Sequence, residues 1–170
     1  AEYLRSKYHV VVANPPYMKS ANMNGRLSSW LKDKYPDSKS DLFAVFIERN
    51  TALAIPKGMV AMITMQSWMF LSSYEKMRNN LIKQNTILSM AHLGARAFDS
   101  IGGEVVSTTA FVMQKHVNQE HKGAYLRLIT GDSEAAKVDM FLEAIQHPDC
   151  GWFYRANAAI YEKMPGSPIV

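Results

Sequence analysis

Short apolar blocks separated by polar stretches make up this chain, and the spacing of apolar positions within each block predicts its secondary structure. The β-branched run at residues 8–13 ends at two prolines, which is typical of a strand buried on both faces. Similar runs predict further strands at residues 59–65, 86–93, 107–113 and 124–129. Apolar positions at helical spacing predict helices from residue 42 to near 56, at 73–83 and at 133–146.

Polar residues mark where several of these elements begin. Ser40 and Asp41 are residue types that cap a helix, and residues 72–75 have the form of a capping box. The polar stretch at residues 18–40 predicts a long loop, and it carries a lone tryptophan, Trp30. This tryptophan either contacts a partner from the loop or covers apolar surface, and the sequence leaves both alternatives open.

The order of the elements predicts an α/β fold, with a right-handed parallel sheet and helices on both of its faces. The tail beyond residue 148 is predicted to be irregular. Ligands of such sheets bind at the carboxyl ends of the strands, and residues 14–17 lie at one such end. We therefore expect the functional site there.

Composition narrows the function classes. Hydrophobic residues make up 48% of the chain and charged residues 20%, which suffices for a core and excludes a disordered or fibrous protein. The single cysteine, Cys150, excludes an internal disulfide framework, and the histidines do not pair at metal-ligand spacings, so we expect no metal site. The longest uncharged stretch falls short of the roughly 18 apolar residues of a membrane span, so no span and no membrane contact are predicted. The lone cysteine and the lack of a charged-then-apolar signal segment at the start favour a cytoplasmic protein.

Charge is unevenly distributed along the chain. The net charge is +4, and the first 40 residues hold seven lysines and arginines against three acidic residues. Basic clusters of this kind are often only solvated surface, but they also fit a phosphate-bearing partner, because neutralised phosphates release counterions.

The tetrapeptide Asn14-Pro15-Pro16-Tyr17 carries the clearest chemical signal. Two prolines stiffen the backbone and lack N–H donors, so their carbonyls act as fixed acceptors. The Asn14 side chain adds another acceptor, and the Tyr17 ring offers a face for stacking. This set suits a planar ligand with an exocyclic amine, because acceptors on the amine hydrogens favour the charge that grows there during methylation.

These residues resemble the catalytic motif of the DNA methyltransferases that methylate amino groups, and the Asn form resembles the N6-adenine enzymes. Segments 41–48, 58–64 and 67–68 are similar to the helix and strand that follow this motif in large bacterial adenine methyltransferases. The whole chain, with residues 162–168, resembles the methyltransferases of BREX phage-defence systems.

The resemblance implies the C-terminal half of a Rossmann-like class I methyltransferase domain at residues 1–130, with a mixed, mostly parallel sheet. Residues 131–170 would form a helix and an irregular extension towards a downstream region. The resemblance also implies methyl transfer from S-adenosylmethionine to adenine in double-stranded DNA, in phage defence or restriction-modification. The adenine is flipped out of the duplex, and Phe98 matches the second aromatic that holds it.

One departure from the family's pattern is large. The glycine-rich cofactor loop and the acidic residue of this family precede the motif, whereas the thirteen residues before Asn14 contain no glycine. We therefore expect a piece of a longer protein that is inactive alone, and we assign no cofactor-binding residue. Its partner would be the missing N-terminal half of the domain or a second copy. Alternatives are a non-catalytic DNA-contacting scaffold, or methylation of RNA or of a protein amide.

Overall fold

Six strands form one mixed sheet in the computed structural model, which describes residues 6–98 and 106–169. The strands are β1 (Tyr8–Ala13), β2 (Ala54–Met65), β3 (Thr86–Gly94), β4 (Thr108–Gln114), β5 (Gly123–Arg127) and β6 (Phe153–Ala156). Their order across the sheet is β1-β2-β4-β3-β5-β6. Strands β1, β2, β3 and β5 run in one direction, while β4 and β6 run against it. The prediction of a mixed, mostly parallel sheet is confirmed.

Helices pack on both faces of this sheet. They are α1 (Gly25–Lys34), α2 (Leu42–Leu53), α3 (Glu75–Gln84), α4 (Glu134–Gln146) and α5 (Ala158–Glu162). The main core lies on the face that α2 and α3 cover, where Phe43 and Met77 meet Val60, Met62 and other strand residues. A smaller cluster joins Ala144 of α4 to Leu126 on the opposite face. Among the described residues, no helix has the length and apolar character needed to cross a membrane.

Most predicted elements are present, with shifted ends. The predicted loop at residues 18–40 is wrong in part, because α1 lies within it and buries Leu31 to 1% exposure. The irregular tail is also wrong, since β6 pairs with β5 and α5 follows it. The capping box at residues 72–75 does not form: a 3-10 turn occupies Ser72–Tyr74, and Tyr74 precedes α3 without a side-chain cap.

The prediction that β1 is buried on both faces is wrong for this structure. Val10 is 55% exposed and Val12 is 73% exposed, because β1 stands at the edge of the sheet and no described helix covers this side. A groove of about 950 Å³ runs from here across the sheet towards α4, and its lining includes Val12, Asn14 and Ile63. The carboxyl end of β1 thus adjoins open apolar surface.

The tail is fastened to the core through a buried arginine. Arg78 of α3 is 1% exposed, and its guanidinium donates to the Trp68 carbonyl at 2.9 Å and to the Leu71 carbonyl at 3.0 Å. It also donates to the carbonyls of Gly166 and Ser167. These bonds tie the tail to the segment that follows β2 at the carboxyl edge of the sheet.

We expect Arg78→Met to release the tail, because hydrogen bonds from a charged donor contribute about 1.5–3 kcal/mol each. The amide of Ile169 donates to the Met69 carbonyl at 2.9 Å and reports on tail docking. Its hydrogen exchange in the full-length protein, followed by mass spectrometry, should become about tenfold faster or more. Lys76→Met, at an exposed position of the same helix, is the control. Unchanged exchange in the Arg78 variant would contradict this role.

Candidate active site

The Asn14-Pro15-Pro16-Tyr17 segment leaves the sheet at the carboxyl end of β1, as the sequence predicted. Ala13 is the last paired residue of β1, opposite Met62 of β2. Asn14 and Pro16 are exposed, whereas Pro15 is buried and Tyr17 is half-buried. The Asn14 side chain therefore faces solvent on a backbone that the two prolines restrict.

The Tyr17 ring is held from one side by the core. It packs edge-on against Phe43 with ring centroids 6.0 Å apart, and Phe43 in turn packs on Tyr74 at 5.9 Å. Burial raises the pKa of the Tyr17 phenol, and the nearby Asp41 carboxylate raises it further. The ring is thus a neutral, fixed platform beside Asn14.

Asp41 anchors the segment that follows the motif. Its carboxylate is 4% exposed, and Oδ1 accepts hydrogen bonds from the Met18 amide at 2.9 Å and from the Phe43 amide at 3.4 Å. The Leu42 amide donates back to the Met18 carbonyl at 3.0 Å, and Lys19 forms a backbone bridge with Asp41. Residues 18–20 and 40–42 thereby form a closed neck next to Tyr17.

The sequence predicted only part of this role. Asp41 was expected to cap a helix, and the cap of α2 is confirmed. That the same carboxylate holds the amide of Met18 was missed, because the bond joins residues 23 positions apart. No local pattern encodes that distance.

Two further side chains at this edge of the sheet are structural. Trp68 is fully buried, donates from Nε1 to the Thr64 hydroxyl at 3.1 Å and packs on Phe111, so its role is packing. His92 Nε2 lies 2.7 Å from the Gln66 side-chain oxygen, so this histidine is hydrogen-bonded. Burial lowers the pKa of His92, and the nearby positive charges act in the same direction.

Phe98 follows β3 at the same edge of the sheet and is half-buried. Two strands separate β3 from β1, so the strand axes stand about 14 Å apart at a strand spacing of about 4.8 Å. The four residues that follow Gly94 and end at Phe98 span at most about 14 Å when extended, which is about the distance between the axes of β3 and β1. The ring contact of Tyr17 among the described residues is with Phe43, so the structure does not pair Tyr17 with Phe98.

Comparison with known proteins agrees with this arrangement of motif and sheet. The family model of the Eco57I restriction-modification methylase matches residues 2–98, which include the motif and its neck. The chain belongs to this family. It is 49% identical over 166 residues to the adenine-specific methyltransferase PglX of Lacticaseibacillus casei (strain Zhang), covering 98% of the chain but 14% of that relative. The chain thus spans about a seventh of the length of this curated relative.

Solved structures share the fold at low sequence identity. The Type ISP restriction-modification enzyme LlaGI, solved with a DNA substrate mimic, matches 98% of the chain and 18% of its own, with a TM-score of 0.69 and 18% identity. A structure described as a class I S-adenosylmethionine-dependent methyltransferase from Listeria monocytogenes matches 81% of the chain and 42% of its own, with a TM-score of 0.54 and 14% identity. The expected class I methyltransferase fold is confirmed.

We expect Asp41→Ala to open the neck, because it removes the acceptor for the Met18 amide and the cap of α2. Loss of such a cap and of a buried acceptor costs about 1–3 kcal/mol. Hydrogen exchange of residues 18–20 and 41–45 in the full-length protein should accelerate. Asp41→Asn retains an oxygen acceptor and should stay closer to the parent.

Asp139→Ala, at an exposed position of α4, is the matched control and should leave exchange in the neck unchanged. Equal exchange rates in the Asp41→Ala variant and the parent would show that the carboxylate does not hold the neck.

Proposed function

We propose that this chain forms the amine-binding part of an adenine-specific DNA methyltransferase that acts in phage defence or restriction-modification. The protein transfers a methyl group from S-adenosylmethionine to the exocyclic amine of a flipped adenine in double-stranded DNA. The observation that carries the proposal is Asn14, exposed on a proline-stiffened backbone at the carboxyl end of β1. The 49% identity to an adenine-specific methyltransferase supports the choice of substrate.

The chemistry follows from two acceptors on one amine. The lone pair of the adenine N6 is delocalised into the ring, so the amine is a weak nucleophile. The Asn14 side-chain oxygen and the carbonyl of Pro15 accept its two hydrogens and oppose that delocalisation. As the nitrogen becomes positive in the transition state, both hydrogen bonds strengthen, because preorganised dipoles act where charge develops. No strong base is needed for this step, because the methylated nitrogen carries the positive charge and then loses its extra proton to water.

Stacking holds the base while the amine is bound. The Tyr17 ring is edge-packed on Phe43, and its half-exposed face is the proposed platform for the adenine. Phe98 is the proposed second aromatic ring. To meet the same base as Tyr17, it must reach across the width of β2 and β4. Extruding a base costs a few kcal/mol, and stacking offsets part of that cost.

The turns after β1 and β2 do not fit the methyl donor itself. The turn after β1 is Asn14-Pro15, and the turn after β2 is Gln66-Ser67. Neither turn supplies a glycine-rich loop or an acidic side chain for a ribose. We therefore propose that the site of S-adenosylmethionine lies in parts of the longer protein, beside the open face next to β1.

In the full-length protein, Asn14→Ala should lower the single-turnover rate of adenine methylation by about 100-fold or more, since one transition-state acceptor contributes about that factor. Affinity for the cofactor should change little, because the side chain is exposed and supports no core contact. Incorporation of a labelled methyl group into duplex DNA, RNA and protein measures the rate and identifies the substrate class.

The control is Asn80→Ala, an exposed asparagine on α3, which should methylate at the parent rate. Full activity of the Asn14 variant would refute its assignment. Labelling of RNA or of protein, with duplex DNA unlabelled, would move the proposal to that substrate.

Tyr17→Ala and Phe98→Ala should each weaken trapping of the flipped base by about 1–3 kcal/mol, the usual contribution of a base stacked on an aromatic ring. Fluorescence of 2-aminopurine at the target position reports the trapped fraction. Tyr17→Phe keeps the ring and its contact with Phe43, so it should retain the signal. A parent-like signal for Phe98→Ala would mean that Phe98 only fills its loop.

A further inference from the structure

Helix α1 presents an aromatic and basic stripe directly after the neck. Arg26, Trp30 and Lys34 follow one another at intervals of four residues, so they share one side of the helix. All three side chains are exposed, and Trp30 is 49% exposed. Helix α1 begins five residues after residue 20 of the neck, and the neck directly follows Tyr17, so only a short stretch of sequence separates the stripe from the motif.

The Trp30 side chain is fixed without being buried. Its ring packs against Tyr35 with centroids 5.4 Å apart and planes tilted by 57°. Leu31, the next residue along the helix, is 1% exposed, so this turn of α1 is packed against other parts of the protein. The indole is therefore held in place, with about half of its area open to a partner.

A shallow groove of about 530 Å³ lies against this indole. Its lining is Asn24, Arg26, Leu27 and Trp30, which together supply a guanidinium, an aromatic face and a little apolar surface. Arg26 and Trp30 are about 6 Å apart along the helix axis, at 1.5 Å per residue. A phosphate on the guanidinium and a base on the indole fit this spacing.

The charge around α1 favours a polyanion. Residues 19–39 hold five lysines and arginines against two aspartates. Within the stripe, the Lys34 ammonium lies 2.9 Å from the Asp33 carboxylate, whereas Arg26 is not part of that ion pair. An acidic peptide would match the charge but not the flat open indole, whereas a nucleic acid strand matches both, because every base has a face that stacks on an aromatic ring.

We propose that α1 is a DNA-contacting helix, in which Trp30 stacks on a nucleotide flanking the flipped adenine and Arg26 binds a phosphate of the same strand. The proposal rests on the DNA methyltransferase function proposed above and adds the element that positions the strand. Trp30 and Arg26 do not touch the reacting amine, so they act on DNA affinity and leave the chemical step to Asn14.

The test uses the full-length protein and duplex DNA with binding measured over a range of salt concentrations. Trp30→Ala should raise the Kd roughly 5- to 150-fold with an unchanged salt slope, because stacking carries no charge. Arg26→Gln should reduce the slope of log affinity against log salt by about 1.

Two control variants accompany this test. Trp30→Phe should recover most of the affinity, and Lys83→Gln, at an exposed position of α3, should match the parent. Parent-like Kd and slope in both α1 variants would overturn the proposal.

A labelling experiment separates DNA from other occupants of the stripe. In a Trp30→Cys variant, maleimide modification at residue 30, read by mass spectrometry, should be fast without DNA and slow with it. Slow labelling without DNA would mean that another segment covers α1, which also overturns the proposal. A parent protein that binds DNA through α1 but methylates no adenine would refute the proposed function, and only the DNA contact of α1 would stand.

Discussion

The Asp41 carboxylate is the interaction on which the candidate site depends. A carboxylate that is 4% exposed is stable only where hydrogen bonds replace its water, and here the Met18 and Phe43 amides do so. One of these amides follows the Asn-Pro-Pro-Tyr segment, and the other opens α2. The Asp41 side chain therefore fixes where the motif ends and where α2 begins. It also fixes where the segment that contains α1 leaves the body of the protein.

The Asp41 charge also acts on the two tyrosines behind the motif, in addition to their burial. Burial raises the pKa of Tyr74 to about 12, and the Asp41 carboxylate contributes in the same direction as it does at Tyr17. Both phenols consequently stay neutral at physiological pH. A neutral Tyr17 adds no negative charge where a DNA strand would approach, and its ring remains available for stacking.

Sequence reasoning succeeded where the signal was local. The run at residues 8–13, the cap at Asp41 and the apolar stripe of α4 each lie within a short window, and each element was predicted. Helix α1 was missed because Gly25 and two serines weaken its pattern, although the Asn24 cap and the spacing of Leu27 and Leu31 were available signals. The link from Asp41 to Met18 arises only in the folded chain, which is why no pattern indicated it.

The open face beside β1 bears on how the site is completed. Tyr17 and its neck occupy one side of Asn14, with the core of α2 behind them, while the apolar groove adjoins the other side. In the proposed reaction, Asn14 holds the amine of a base that is stacked on aromatic rings. The methyl group must then arrive from a direction that these rings leave free. The groove side is such a direction, and its apolar lining needs a partner that removes it from water. If the chain acts as proposed, the part of the longer protein that covers β1 would therefore also hold the methyl donor.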